Sequence, residues 1–505
     1  MSTDAGGALD LVAELNYDNT NLGAPIAVVM HPYSCGTCLP SVRTPAQRLR
    51  DKGFFAISVA MRGRDGSDGV RDSGGVEIYD IYDAVEAIKA DSSLASFLDP
   101  ANVHITGYSG GGGNTMSALT KFPDYFRAGG AFFGMSDYGF DPVNGWYFFG
   151  AGGRTSILDA DVGNPITGGA AVIDKYHASA SNFASKNNPY AAIHLFVNDD
   201  ETISPKVNST SFRDNAVAAA SFPGEFDNVV AHIGFPGTYE DFNGNGVDDP
   251  DEEQNWPHQT PTANQQNSAE HWYVPGLLDG SLPEPVLNDS DELFVAGFVK
   301  TRPFELWLGD GQNAAALLDY SIAANTMTFQ LEILSSDLAR TGKLSVDASA
   351  THGALVNVQL NGQPLESTVT PGDIYVYDGL AHNDTLQLEL LPKGDLNFDG
   401  EINAADHAIF AKNLHTDLSS LSVLDAYAKG DLNGDNVSNV LDFLQFQEIY
   451  DDIHGAGALT ALPSATVPET STLCLLLLGG VSALLIRRPS PSYSERLSRR
   501  TIPGV

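Results

Sequence analysis

The chain has 505 residues, too long for one core when domains run about 100 to 250 residues, so several units are expected. Its 64 acidic against 27 basic residues leave a net charge of −37, which argues against nucleic acid or anionic lipid as partners, since both need basic patches, and fits cation binding. Three cysteines cannot make a disulfide framework: Cys35 and Cys38 form a C-x-x-C in the loop after an apolar strand, read as a loop staple or two free thiols, and Cys474 lies in an apolar run near the end.

In chain order, Met1 to Gly7 has no basic region and no apolar core, so no secretory signal is visible there. Ile26 to Met30 and Phe54 to Met61 are continuous apolar strands separated by a helical Thr44 to Lys52, which implies parallel pairing. After the Arg62-Gly63-Arg64 turn, Ile78, Ile81, Val85 and Ile88 recur at helical spacing, giving one apolar face with acidic residues expected on the other. The strand from Val103 then runs into Gly107-Tyr108-Ser109-Gly110-Gly111 and a helix Asn114 to Phe122, followed by strands Ala128 to Phe133 and Ala191 to Val197. Strands alternating with helices predict a doubly wound α/β sheet.

The G-x-S-x-G run is the organising feature. It places a serine on a sharp strand-to-helix turn where flanking glycines let the backbone pass closely, so Ser109 is expected to face an open cleft as a nucleophile. A phosphate loop would need G-x-x-x-x-G-K-[ST], and no lysine follows these glycines. Between Gly134 and Pro189 lies a glycine- and aromatic-rich insertion, with Trp146, Tyr147, Phe148 and Phe149, read either as a cap over the cleft or as a small subdomain.

Residues of about 20 to 280 resemble the α/β-hydrolases, and among them the catalytic domain of the prolyl-oligopeptidase group, through His31-Pro32-Tyr33, Arg62-Gly63-Arg64, Asp99-Pro100, the elbow at Ser109, and Asp200-Glu201-Thr202-Ile203. That resemblance implies a Ser-Asp-His triad in chain order. Asp199 and Asp200 both end a strand; Asp200 is preferred because Ile203 completes the family's D-x-x-[VI] pattern. For the base, His232 falls within an apolar strand, His258 lies on a loop that Pro257 keeps from being helical, and His271 begins a helical run; His258 is preferred and His271 is the alternative. The oxyanion hole is expected from the backbone N–H groups of Gly110 and Tyr33, with Ser34 a neighbouring possibility, because Pro32 has none to give. Two departures leave peptide specificity open: the β-propeller that screens substrate size in oligopeptidases is missing, and the usual first strands are shortened at Met1.

Calcium is the expected structural cofactor; catalysis needs none. One candidate loop inside the hydrolase, 241–252, offers Asp241, Asn243, Asn245, Val247, Asp249 and Glu252 with glycine at its sixth position. Two more candidates repeat about 36 residues apart: Asp395, Asn397, Asp399, Glu401, Asn403 and Asp406, then Asp431, Asn433, Asp435, Val437, Asn439 and Asp442. This pair resembles a type I dockerin, which implies a cohesin-like partner.

The expected domains are the α/β-hydrolase at 1–283, a β-rich unit at 284–391 whose period-two segments predict a small β-sandwich, the dockerin at 392–452 and a linker at 453–466. Residues 467–488 resemble a PEP-CTERM sorting signal: Val467-Pro468-Glu469, an apolar run from Thr472 to Ile486 read as a short transmembrane helix, and Arg487-Arg488. Thr470 stands where that pattern has a second proline, and a tail, 489–505, continues beyond it. The signal implies export and sorting machinery, an envelope or extracellular location with anchoring through that helix or cleavage there, and a true start upstream of Met1. The expected function is an exported serine hydrolase acting on a peptide, a small ester or an acylated polysaccharide; a non-catalytic surface or scaffold protein is the other class.

Overall fold

The computed structural model describes residues 3–4, 7–33, 37–149, 154–179, 184–187, 191–199, 201–219, 229–234, 246–247, 282–309, 311, 314–365, 367–462 and 500–502. Several expected residues lie outside the described residues: Ser34, Cys35, Asp200, His258, His271, Asp241, Asn243, Asn245, Asp249, Glu252 and all of 467–488.

The first unit is an α/β-hydrolase-like sheet. Its strands are β1 (Leu11–Asn16), β2 (Ala24–Met30), β3 (Phe55–Ala60), β4 (Leu98–Tyr108), β5 (Ala128–Phe132), β6 (Ala192–Asn198) and β7 (Val229–Gly234), in spatial order β1-β3-β2-β4-β5-β6-β7, with Arg500–Ile502 beside β1. β1 runs antiparallel to both β3 and Arg500–Ile502, and the other neighbours are parallel. Helices α1 (Leu39–Asp51), α2 (Tyr79–Ala90), α3 (Gly110–Lys121), α4 (Arg154–Asp161), α5 (Gly169–Ser179) and α6 (Lys206–Ala219) accompany it. β2 explains the continuous apolar signal: Ile26, Val28 and Met30 enter the core beneath α2 and α3, while Ala27 and Val29 enter the core beneath α1. Fully burying an aliphatic side chain contributes about 1.5–3 kcal/mol, so a strand covered on both faces can spare no polar position.

Some sequence expectations are corrected. Of the first strands expected to be shortened at Met1, an antiparallel one is present as β1. α1 begins at Leu39, before the expected Thr44, and α3 begins at Gly110 rather than Asn114. The acids before and within α2 do not all face water, because Glu77 and Asp80 are fully buried; they pair with the two arginines of the preceding turn.

The β-rich unit comprises β8 (Ser290–Ala296), β9 (Phe298–Lys300), β10 (Phe304–Leu308), β11 (Ala315–Ala323), β12 (Thr326–Ile333), β13 (Gly342–Asp347), β14 (Leu355–Leu360), β15 (Ile374–Leu380) and β16 (Thr385–Leu391). Hydrogen bonds connect them antiparallel in the order β14-β16-β12-β11-β8-β9-β10-β13-β15. The path bends at Gly297, whose φ of 78° and close approach to the Gly311 carbonyl exclude a side chain. Both halves send alternate residues into one core, including Phe304, Leu306, Phe329, Leu331 and Leu388. This unit also packs against the first: Phe298 belongs to the hydrolase core and Trp307 lies against it. Asn187 both donates to the carbonyl and accepts from the N–H of Phe294, at 2.7 Å each.

A paired loop–helix unit follows, with α7 (Ala404–Asn413), α8 (Val423–Tyr427) and α9 (Val440–His454) around Leu396, Phe410, Tyr427, Leu432 and Phe446. Leu459 completes that core, so the folded unit runs past the expected linker boundary at 453. No helix among the described residues is long and apolar enough to cross a membrane; the apolar run 472–486 is not among them.

Candidate active site

Parallel strands deliver their loops to one edge, so the carboxyl ends of β2, β4, β5 and β6 bring His31–Tyr33, Ser109, Phe133–Gly134, Asp199 and Glu201–Ile203 to the same side. Ser109 is half-buried between β4 and α3 and has φ 53° and ψ −118°, a backbone conformation that L-residues avoid. Its N–H donates to the Phe132 carbonyl at 3.0 Å, and its carbonyl accepts from Gly113 N–H at 3.0 Å. The surrounding glycines are required by contact: a Cβ on Gly111 would strike the Met30 carbonyl, and one on Gly112 would lie 2.7 Å from the Phe132 oxygen.

Tyr33 lies against the elbow at Gly110. Its backbone nitrogen lies 2.5 Å from the position a Cβ on Gly110 would occupy. Its hydroxyl points inward, donating to the Asn114 side-chain oxygen and lying 2.7 Å from the Tyr138 hydroxyl. Burial and the neighbouring Tyr138 push the Tyr33 phenol well above its ordinary range, so this group stays neutral. His31, fully buried, places Nδ1 2.9 Å from the Pro32 carbonyl, and burial lowers its pKa.

The turn Arg62-Gly63-Arg64-Asp65 braces this loop. Arg62 forms a buried ion pair with Asp80 at 2.6 Å, and Arg64 forms one with Glu77 at 2.6 Å. The Arg64 guanidinium carbon lies 5.5 Å from the centre of the Tyr33 ring. Asp65 accepts from the N–H groups of Cys38 at 2.5 Å and Leu39 at 3.1 Å, which is why α1 starts so early. Cys38 is disulfide-bonded. Asp72 accepts from the N–H groups of Val76 and Glu77, and burial with the Glu77 charge raises its pKa to about 7. Sequence reasoning gave no site role to Arg64, Glu77, Asn114 or Tyr138; the signal available was a pair of arginines placed before a helix whose acids interrupt apolar positions.

The insertion encloses the loop from another side. Tyr33, Met135, Tyr138, Trp146, Tyr147, Leu158, Val162 and Tyr176 share one apolar cluster, so this segment packs directly on Tyr33 in the loop after β2. It also clamps the loop after β6: Trp146 Nε1 donates to the Ile203 carbonyl at 3.0 Å, and Ser204 Oγ donates to the Gly134 carbonyl at 3.1 Å. Asp199 is exposed and paired with Lys206. His232 lies in β7, as expected.

In the hydrolase loop only Gly246 and Val247 are described, and Gly246 has the expected positive φ of 74°. The two repeated loops share their main carboxylate–backbone bonds. Asp395 accepts from Asp399 and Gly400 N–H at 3.2 and 2.8 Å, and Asp431 from Asp435 and Asn436 at 3.1 and 2.9 Å. Asp406 accepts from Leu396 and Asn403 N–H at 2.8 Å each, and Asp442 from Leu432 and Asn439 at 2.8 and 2.9 Å. The sixth positions, Gly400 and Asn436, have φ 87° and 65°. Asn403 and Asn439 cap α7 and α9, their side-chain oxygens accepting from Ala405 and Leu441 N–H. No group of three or more His, Cys, Asp or Glu among the described residues is arranged to hold a metal ion.

Residues 40–143 match the Prolyl oligopeptidase family. No curated protein matches the chain. Among solved structures it is similar to an acylaminoacyl peptidase in complex with Z-Gly-Gly-Phe-chloromethyl ketone, at 17% identity and TM-score 0.39, covering 55% of this chain and 40% of that one. The uncomplexed acylaminoacyl peptidase of Pyrococcus horikoshii gives 18%, 0.39, 56% and 41%. Dipeptidyl peptidase 4 of Porphyromonas gingivalis gives 16%, 0.38, 55% and 34%. The chain thus spans about two fifths or less of the length of these three proteins. Its first unit is an α/β-hydrolase-like fold, and the segment 40–143, with the Ser109 elbow inside it, is one that matches the Prolyl oligopeptidase family.

Proposed function

We propose that the protein is an exported serine hydrolase, prolyl-oligopeptidase-like in its catalytic unit, working through Ser109, His258 and Asp200. The observation that carries this reading is the Ser109 backbone, held at φ 53° on the turn between β4 and α3 with Gly110 and Tyr33 beside it. A non-catalytic turn gains nothing from a serine in so sparsely populated a conformation, whereas a nucleophile is lifted clear of the sheet by it. In this reaction His258 takes the Ser109 proton as Oγ attacks the substrate carbonyl carbon. The resulting oxyanion accepts from the Gly110 and Tyr33 N–H groups, and His258 returns the proton to the leaving group. Water then hydrolyses the acyl-enzyme by the same route in reverse roles. Asp200 holds the His258 tautomer; the Lys206 partner of Asp199 supports this choice between the two aspartates.

The repeated loops support a dockerin reading with structural calcium and a cohesin-like partner. Asp395, Asp406, Asp431 and Asp442 are buried carboxylates; together with Asn397, Asp399, Asn433, Asp435 and the backbone carbonyls of Glu401 and Val437 they are the hard oxygen donors this ion takes. Calcium would supply the counter-charge that burial denies these carboxylates. That unit favours a second reading of the substrate, in which the enzyme is a carboxylesterase on acylated polysaccharide. Export and sorting through 467–488 belong to the same proposal.

Reaction with a labelled fluorophosphonate, followed by a panel of aryl esters, acylated oligosaccharides and prolyl peptides, tests both. Labelling that Ser109→Ala abolishes is expected, and the panel separates peptidase from esterase. An unlabelled Ser109 in the folded protein would favour a scaffold instead.

A further inference from the structure

The loop after β2 carries one donor of the proposed site, Tyr33, and leads to Cys38 at the start of α1. Two neighbouring residues of the turn after β3 grip it at separate points. Asp65 has a φ of 49° and turns its carboxylate onto the Cys38 and Leu39 N–H groups, holding the far end of the loop at the start of α1. Arg64, 2% exposed, lays its guanidinium against the ring of Tyr33 near the loop's beginning.

Arg64 is itself fixed. Nη1 donates to Glu77 at 2.6 Å, while Nε and Nη2 are buried without a hydrogen-bond partner. Unsatisfied guanidinium N–H groups are costly to bury, a cost that an apolar residue in the same place would not carry. Glu77 is held in turn by Gly74 N–H at 3.1 Å and by the turn that Asp72 closes. The next side chain, Val76, packs against the β-rich unit, where a Cβ on Gly311 would lie 3.2 Å from it and 2.7 Å from the Trp307 ring.

We infer that Arg64 and Asp65 are positioning residues for the oxyanion loop: Asp65 fixes its end at Cys38, and Arg64, anchored by Glu77, presses on the Tyr33 ring so that the Tyr33 N–H stays beside Gly110. The β-rich unit backs this brace through Val76. Neither residue touches substrate; both act through Tyr33. The inference rests on the proposed Ser109 chemistry with Tyr33 and Gly110 as donors.

The test uses the full chain with Arg64→Met, Arg64→Lys, Asp65→Ala and Asp65→Asn, reading kcat and KM on a fast aryl ester, the fluorophosphonate labelling rate, and folding by circular dichroism and thermal melting. Losing one oxyanion donor lowers kcat by about 100- to 1,000-fold, and a misplaced donor costs part of that. Folded Arg64→Met and Asp65→Ala are therefore expected to lose about ten- to a hundred-fold in kcat and in labelling rate with KM nearly unchanged. Asp65→Asn, which keeps an acceptor oxygen, is expected to recover most of the loss, and Arg64→Lys only part, because an ammonium cannot lie flat on the ring. Should Arg64→Met not fold, the contrast between Asp65→Ala and Asp65→Asn decides. Folded variants with wild-type kcat, or equal losses in Asp65→Asn and Asp65→Ala, would overturn the inference. Wild type that neither turns over nor labels would instead overturn the reading beneath it.

Discussion

The backbone nitrogen of Tyr33 lies 2.5 Å from the point where a side chain on Gly110 would begin. Two chain segments 77 positions apart (110 − 33) thus meet so closely that only hydrogen fits between them, which places two N–H groups beside Ser109.

Gly110→Ala should therefore be more damaging than a glycine-to-alanine change within a helix has any right to be by propensity, where alanine is favoured by about 1 kcal/mol. The methyl must push Tyr33 away. The expected result is loss of kcat by at least about 100-fold with a lower melting temperature; unchanged activity would mean that the Tyr33 loop does not serve the reaction.

Ser109 separates chemistry from stability. Ser109→Ala should abolish turnover and leave the melting temperature nearly unchanged, since no core cavity forms. Ser109→Gly should be equally inactive yet more stable by about 1 kcal/mol, because glycine accepts the positive φ without strain. Chemical denaturation of the three proteins checks the order; a less stable Ser109→Gly would show that the turn is unstrained.

The remaining triad members can be distinguished by paired substitutions. Asp200→Asn and His258→Ala should each lower kcat by several orders of magnitude, while Asp199→Asn, which loses an exposed pairing with Lys206, should cost less than about ten-fold. If His271→Ala is the inactive protein and His258→Ala is not, the base is assigned to the wrong loop.

Lys121 predicts a pH dependence of stability. It is 2% exposed, donates to the Ala296 carbonyl of the β-rich unit and lies 4.7 Å from the Phe298 ring centre. Burial pushes its pKa down to about 7, whereas the unfolded ammonium keeps its proton to about pH 10. Between these values the unfolded chain binds more protons, so this residue's contribution makes stability rise with pH from about 7 to about 10, by no more than about 1.4 kcal/mol per pH unit. Lys121→Met should flatten that slope. Urea titrations at three pH values in the window test it, and an identical slope in both proteins would refute it.

Calcium removal should act first on the C-terminal pair of loops. Chelation is expected to melt residues 393–450 before the hydrolase, because buried carboxylates repel when no cation lies between them. Superimposable melting curves with and without chelator would count against the metal. Asp395→Ala and Asp431→Ala should reproduce the chelated behaviour one loop at a time.

The sequence alone determined whatever depends on short spacing. The elbow at Ser109, the alternation of β2, β3 and β4 with helices, the period-two strands β12 and β16 and the repeat of the two aspartate loops are all local patterns, and the structure has each of them. Tertiary structure alone decided what rests on partners far apart in the chain. α1 starts at Leu39 because Asp65 caps it from 26 residues away. Glu77 and Asp80 turn inward because two arginines of another loop wait there, and β1 declares itself only by pairing with β3. Nothing in the spacing of Phe298 and Trp307 tells that they close the core of the first unit. Periodicity reports which face of an element is apolar, whereas the identity of the surface that covers it, and the charges that can be buried against it, are set only when the chain has folded back on itself.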